Sequence, residues 1–321
     1  MPPPGPSSET VITPIGAVSL AACAVASYLG LAALQAQPAA TKKTLIAHRG
    51  ASAYAPEHSI DAYKLAMAQG ADFVEQDLAV TKDGVLVSIH DLTLERTTDV
   101  EEVFPTRFAE EKSGATAARR WYVNDFTLAE IKRLDAGSYF DKKFAGTRIL
   151  TFQEAIDLVR GKAGLYPELK DPEFYRQRGV SPEKLFAEII KKNRLEADPK
   201  TPLVLQAFDE ATLKASAVDL PTVPRVFLVS PQDAGRIDAP DKLKAMAAWA
   251  TGIGPNKAIL EKTPDIVAWA HAAKLTVTPW TFRASQPGKY PSVRDEMAYF
   301  LFTLGVDELF TDNPDMFPRS R

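Results

Sequence analysis

Two histidines and three acidic residues carry the chemistry this chain could perform. His48 and His90 each stand at the end of an apolar run, and Glu75-Gln76-Asp77 lies between them. Successive residues of a strand point to opposite faces, so the i, i+2 spacing places Glu75 and Asp77 on one face. Glu168 closes a third apolar run. Converging carboxylates repel one another and titrate high unless a cation compensates. An all-oxygen set suits a hard ion, Ca2+ or Mg2+, more than zinc. Imidazole titrates near neutrality, so one ring can take a proton while the other gives one. The spacing therefore offers a cation site flanked by two acid/base groups.

The segment joining these groups carries its own turn signal. Asp83-Gly84 within Thr81–Val85 favours a two-residue hairpin loop, because a type I′ turn needs positive φ at both central residues. With those two residues at the tip, Lys82 stands opposite Val85 and Asp77 opposite His90. A register one residue different sets His90 against Glu75 or a neighbour instead, still in the same vicinity.

The elements that must position these groups alternate between short apolar runs and helical stretches, the pattern of βα units. Candidate strands are Leu45–Ala47, Phe73–Asp77, Leu165–Glu168, Leu203–Gln206, Arg225–Val229, Thr251–Ile253, Thr276–Pro279 and Glu308–Phe310. These make up the set of eight that a TIM (β/α)8 barrel requires. Helices are expected over Ser59–Gln69, Thr151–Arg160, Pro182–Asn193, Glu210–Ala217, Asp241–Ala250, Thr263–Ala273 and Val293–Leu304. Several open on capping residues such as Ser59, Thr151 and Ser181-Pro182. Residues 78–147 are far more than a βα loop needs, so a small insertion follows the second barrel strand, on the side where active sites of this fold sit.

His48-Arg49-Gly50 with Ser52, Pro56-Glu57-His58, Glu75-Gln76-Asp77, Thr81-Lys82-Asp83-Gly84, His90-Asp91 and Leu94-Glu95-Arg96-Thr97-Thr98 follow one another in order. Further on come Tyr166-Pro167-Glu168-Leu169-Lys170, Gln206-Ala207-Phe208-Asp209, Gly252-Ile253-Gly254-Pro255, Pro279-Trp280-Thr281-Phe282-Arg283 and Leu309-Phe310-Thr311-Asp312. This series resembles the glycerophosphodiester phosphodiesterase family, in particular its exported bacterial branch, and spans residues 44–318. The resemblance implies hydrolysis of a glycerophosphodiester to sn-glycerol 3-phosphate and an alcohol. It also implies Ca2+ held by Glu75, Asp77 and Glu168, and an insertion that caps the barrel mouth. His48 and His90 are then the catalytic pair. Arg49 and Lys170 contact the phosphate, one as a fork and the other as a point charge. Glu57 belongs to the same binding region or positions the first loop, Phe208 and Trp280 wall the substrate pocket, and Arg283 is a weaker anion contact. His58, which replaces an asparagine common elsewhere in the family, and His271, inside an expected helix, are taken as structural. A lysophospholipase D-type enzyme on the same barrel and a non-catalytic glycerophosphodiester-binding protein are the competing functions.

Composition limits the partners. The 321 residues are 45% hydrophobic and 25% charged with a net charge of −3, which suits a globular protein and leaves no electrostatic footprint for nucleic acid. The single cysteine, Cys23, removes disulfide frameworks and cysteine-based metal sites. Residues 1–40 read as a leader. Ile15–Leu34 is an uncharged run of about the 20 residues that cross a bilayer, so a signal peptide or signal anchor, export to the periplasm and possible membrane attachment are expected. The leader lacks the basic residues usual ahead of such a run, and Leu20-Ala21-Ala22-Cys23 resembles a lipoprotein cleavage box.

Overall fold

The computed structural model describes residues 1–6, 42–113 and 116–320. Ile15–Leu34 and Cys23 lie outside the described residues, so the expected leader is not seen. The described residues from Lys42 onwards belong to one compact unit.

Eight parallel strands make the barrel, each a short run of apolar and β-branched residues. They are β1 (Thr44–Ala47), β2 (Phe73–Val80), β6 (Gly164–Leu169), β7 (Leu205–Ala207), β8 (Arg225–Val229), β9 (Gly252–Pro255), β10 (Thr276–Val277) and β11 (Glu308–Thr311). Their spatial order is β10-β9-β8-β7-β6-β2-β1-β11. Single hydrogen bonds, Asp307 N to Val277 O and Phe310 N to Pro279 O at 3.1 Å each, stitch the seam between β10 and β11. The expected eight strands are thus all present, in a nearly closed barrel.

Large side chains fill its interior. Tyr166 meets Phe73 and Phe310 edge to face, with ring centroids 5.5 and 5.2 Å apart. Gly164 makes room for Phe73, since a Cβ there would fall 2.3 Å from its ring. A second, larger apolar layer packs the outer face of the strands against the helices.

The helices begin where the capping residues say they should. The Ser59 hydroxyl accepts from Ala62 N at the start of Ile60–Ala68, and Thr151 with Glu154 forms a capping box for Phe152–Val159. The expected helix Thr263–Ala273 is shorter, Asp265–Ala272, and is preceded by a separate turn, Lys257–Lys262. Pro264 lacks the N–H needed to continue the earlier helix.

The insertion starts with β3 (Leu86–Ser88), antiparallel to β2, and includes a separate ribbon of β4 (Ala109–Ser113) and β5 (Thr116–Arg120). The hairpin register corrects the expectation. Thr81 N donates to Val85 O, so three residues form the loop, and Gly84 alone takes positive φ at 77°. Leu78 pairs with Ser88, and Ile89 N donates to Asp77 O. His90 therefore sits one residue past the position opposite Asp77, beyond the end of the ladder.

Candidate active site

Strand register brings the acids together. Asp77 on β2 is the Cα partner of Glu168 on β6, and Ala47 on β1 is the partner of Val74. One step along, His48 leaves β1 beside Glu75. Neighbouring strands lie about 4.8 Å apart, so a histidine and three carboxylates from three adjacent strands lie at one level, although β2 runs on to Val80 and does not end at Asp77 as expected.

Cations hold these carboxylates at close quarters. Arg49 takes φ 57° immediately after β1, which turns its amide onto Glu75 Oε2 at 2.6 Å and brings its Nε 3.2 Å from Asp77 Oδ2. Lys170 Nζ lies 2.9 Å from Glu168 Oε1 and 3.8 Å from Asp77 Oδ1. Gly50 completes the turn at φ 84°, where a Cβ would meet the Ala62 backbone at 2.8 Å.

Burial divides the acids. Burial and the adjacent Asp77 push the Glu75 carboxyl well above the usual carboxylate range. Burial acts on Asp77 in the same sense, but Lys170, Arg49 and His58 outweigh it and hold Asp77 well below its ordinary value. Glu168 is pushed up to about 7, chiefly by burial and against the pull of Lys170. Two acids that resist ionising beside a third that is charged form a donor set whose full ionisation needs a cation. All three line the cavity described below. His58, Glu75 and Asp77 also offer ligand atoms within 4.8 Å of one another, close enough to hold a metal.

The placement of His58 was not foreseen in the sequence. Its buried ring lies with Nε2 3.0 Å from Asp77 Oδ2 and Nδ1 3.0 Å from the Tyr63 hydroxyl. His271, by contrast, pairs with Asp307 at 2.9 Å, away from the cavity.

Each cavity-facing histidine is held through Nδ1. His48 lies 2.6 Å from Asp312 Oδ1, and His90 lies 2.6 Å from Asp91 Oδ1. Burial and then the Arg49 charge lower the His48 value, so its ring is neutral at neutral pH.

A cavity of about 590 Å³ opens over this rim. His48, His90, Arg49, Glu75, Asp77, Glu168, Lys170, Phe208 and Trp280 all line it. Phe208 and Trp280 meet edge to face with centroids 5.7 Å apart, and Trp280 Nε1 donates to Gly254 O at 2.7 Å. Glu57 is the one expected site residue outside this lining. It stands behind Arg49, accepting from Arg49 Nη1 at 3.2 Å and from Arg96 Nη2 at 2.6 Å. Burial opposes its charge, but the two arginines hold it at about 2. Asn256, Lys257 and Gln206 also line the cavity and were not singled out in the sequence. Asn256 and Lys257 directly follow β9, a strand-end position that marks functional residues in this fold.

The family model for the glycerophosphoryl diester phosphodiesterase family matches residues 48–316. The chain belongs to that family. A glycerophosphodiester phosphodiesterase of Haemophilus influenzae is 32% identical, covering 85% of this chain and 88% of its own length. One from Bacillus subtilis is 32% identical over 85% of this chain and 84% of its own. Among solved structures, a glycerophosphodiester phosphodiesterase of Agrobacterium tumefaciens superposes with a TM-score of 0.64 at 26% identity, covering 86% of this chain and 98% of that one. A phosphodiesterase of Oleispira antarctica, solved in complex with the product sn-glycerol-3-phosphate, gives 0.65 at 25% identity, covering 85% and 94%. The family's barrel is therefore the barrel seen in this chain.

Proposed function

We propose that this protein hydrolyses water-soluble glycerophosphodiesters, such as glycerophosphocholine or glycerophosphoethanolamine, to sn-glycerol 3-phosphate and an alcohol. The observation that carries this is the convergence of His48, His90, Arg49, Lys170, Glu75, Asp77 and Glu168 on one cavity. A pure binding protein has no need of two proton carriers on either side of a carboxylate cluster.

Arg49 and Lys170 orient the phosphate and neutralise its oxygens. With Nδ1 committed to an aspartate, each histidine has Nε2 left for the reacting atoms. One imidazole, neutral, takes at Nε2 the proton of the attacking hydroxyl, whether from water or from the substrate's own glycerol, and the other, starting as the imidazolium, gives its Nε2 proton to the departing alkoxide. Phe208 and Trp280 exclude water from one side.

Glu75, Asp77 and Glu168 would hold a divalent cation, Ca2+ or Mg2+, with His58 hydrogen-bonded to Asp77. Such an ion supplies Lewis-acid stabilisation of charge on the phosphoryl oxygens. Export through residues 15–34, with attachment there if that segment is retained, belongs to the same proposal and rests on the uncharged run alone.

The test is a coupled assay for released glycerol 3-phosphate across glycerophosphocholine, glycerophosphoethanolamine and a long-chain lysolipid, with and without chelator. Chelator-sensitive turnover of the soluble diesters supports the proposal. Turnover confined to the lysolipid would transfer it to the lysophospholipase D class, and no turnover of any would remove it.

A further inference from the structure

Asp312 and Asp91 lie outside the cavity lining, yet each touches a histidine that lies in it. Their surroundings are alike. Asp312 Oδ1 lies 2.6 Å from His48 Nδ1, and its Oδ2 accepts from Arg283 Nε at 2.7 Å. Asp91 Oδ1 lies 2.6 Å from His90 Nδ1, and its Oδ2 accepts from Arg96 Nε. One clamp is local in sequence, and the other spans 264 positions to the end of β11. Two unrelated pieces of chain thus build the same arginine–aspartate–histidine arrangement at one cavity.

The arrangement has a chemical consequence. Burial disfavours the Asp312 charge, but His48 and Arg283 hold the carboxyl at about 2, and Asp91 is likewise held low by His90 and Arg96 despite its burial. An ionised carboxylate only accepts hydrogen bonds, so the Nδ1 facing it carries the proton and the Nε2 of a neutral ring carries the lone pair. The arginine fixes the second oxygen and stops the carboxylate from rotating its hold away. His48 has a further restraint, since its ring meets Phe310 edge to face at 6.5 Å.

We propose that Asp312 and Asp91, each braced by its arginine, are positioning residues that keep a proton on Nδ1 of His48 and His90 and aim Nε2 at the substrate, as a lone pair on the ring that acts as base and as an N–H on the protonated ring that acts as acid. This rests on the hydrolysis proposed above. Neither aspartate touches substrate, and each acts only through its histidine. Arg96 also reaches Glu57, which holds Arg49, so the His90 clamp is continuous with the phosphate-binding arginine.

The chain has only four histidines, which makes the tautomers directly observable. Full-length protein labelled with 15N-histidine is examined by long-range 1H–15N correlation at neutral pH, with His48→Gln and His90→Gln assigning the two signals. The expected result is a proton on Nδ1 of both rings in the wild type, as the neutral Nδ1–H tautomer or as the imidazolium. Asp312→Asn should convert His48 alone towards Nε2–H and lower kcat by about 10²–10⁴-fold, the range for lost acid–base catalysis. KM and the thermal midpoint should change little, and Asp312→Glu should recover part of kcat. The neutral Nε2–H tautomer, with no proton on Nδ1, for wild-type His48 or His90 would overturn the proposal. So would an Asp312→Asn variant whose kcat is unchanged, or whose loss appears in KM or stability instead. The tautomer experiment needs no substrate. A protein inert to glycerophosphodiesters but showing both Nδ1–H rings would therefore end the proposed reaction and leave the clamps standing.

Discussion

His58 Nε2 lies 3.0 Å from Asp77 Oδ2, in a contact where both side chains are almost wholly buried. Burial lowers the His58 value, so the ring is neutral at neutral pH, and an ionised Asp77 accepts the Nε2 proton while the Tyr63 hydroxyl donates to Nδ1. His58 thus occupies one oxygen of Asp77 from behind and leaves the other towards the cavity. Removing such an outer partner typically costs 10–100-fold in metal affinity. His58→Ala is expected to weaken divalent-cation binding by about that factor, measured by titration calorimetry, with the barrel's circular dichroism retained. Unchanged affinity would reduce His58 to a filler of the core.

The acids set a pH dependence for the metal-free protein. Glu168 titrates at about 7 when folded, against 4.5 for an ordinary glutamate, and Glu75 is shifted in the same direction. Between those values the folded chain keeps protons that the unfolded chain has released. Their stabilisation is therefore complete below pH 4.5 and is lost as pH rises through 7. Glu57 and Asp312, held at about 2, stay ionised in the folded chain, and because the unfolded chain still releases their protons near the lower end of this window they add a small opposite slope there. In chelator, Glu168→Gln is expected to lose less of its thermal midpoint than the wild type between pH 4.5 and 7. Equal slopes in scanning calorimetry would contradict the placement of Glu168 among like charges.

Ca2+ or Mg2+ should reverse that loss, because binding favours the ionised carboxylates and stabilises only the folded chain. The rise in midpoint on adding cation is expected to be larger at pH 7 than at pH 5. Glu75→Ala and Glu168→Ala should each diminish it. A rise of equal size in both variants would place the cation elsewhere.

Much of this was legible beforehand, and the gaps have physical causes. Strand ends were readable because βα units punctuate apolar runs, so His48, Glu75, Asp77 and Glu168 could be placed at one rim. The hairpin is shifted by one residue because Asp83-Gly84 serves a three-residue loop as well as a two-residue one, so His90 falls level with Gln76, in the alternative register rather than the first. His58 was set aside because it belongs to no strand. It enters the site through a loop residue at φ 58°, a conformation that sequence pattern does not announce. Asp312 and Asp91 were visible as parts of recurring motifs, but their pairing with His48 and His90 depends on where the chain returns, 264 residues away in one case. Glu57 was expected near ligand. The other expectation for it was a role in positioning the first loop, and its side chain accepts from Arg49 and Arg96.

Gly50 is fixed by both conformation and space. Gly50→Ala puts a side chain at φ 84° and 2.8 Å from the Ala62 backbone. The positive φ alone costs roughly 1–3 kcal/mol, and the contact forces the His48–Arg49 turn off the first helix. Reduced thermal stability together with weakened turnover is expected. A variant with wild-type stability would show that the turn relaxes freely.

The Arg49 fork is used on both sides, with Glu57 on Nη1 and Asp77 near Nε. Arg49→Lys keeps the charge but loses this geometry. The expected outcome is a fall in kcat/KM of about 10-fold or more, the factor that corresponds to roughly 1.4 kcal/mol of lost transition-state stabilisation. Steady-state kinetics on glycerophosphocholine measure it, and wild-type kcat/KM would remove Arg49 from phosphate binding.

The central measurement follows glycerol 3-phosphate release from glycerophosphocholine at saturating Ca2+ for wild type, His48→Ala and His90→Ala, with cation binding measured on the same preparations. The expected result is a loss of turnover of about 10²–10⁴-fold in each variant, while cation affinity stays close to that of the wild type. Normal turnover in both variants would contradict the assignment of His48 and His90 as the proton carriers.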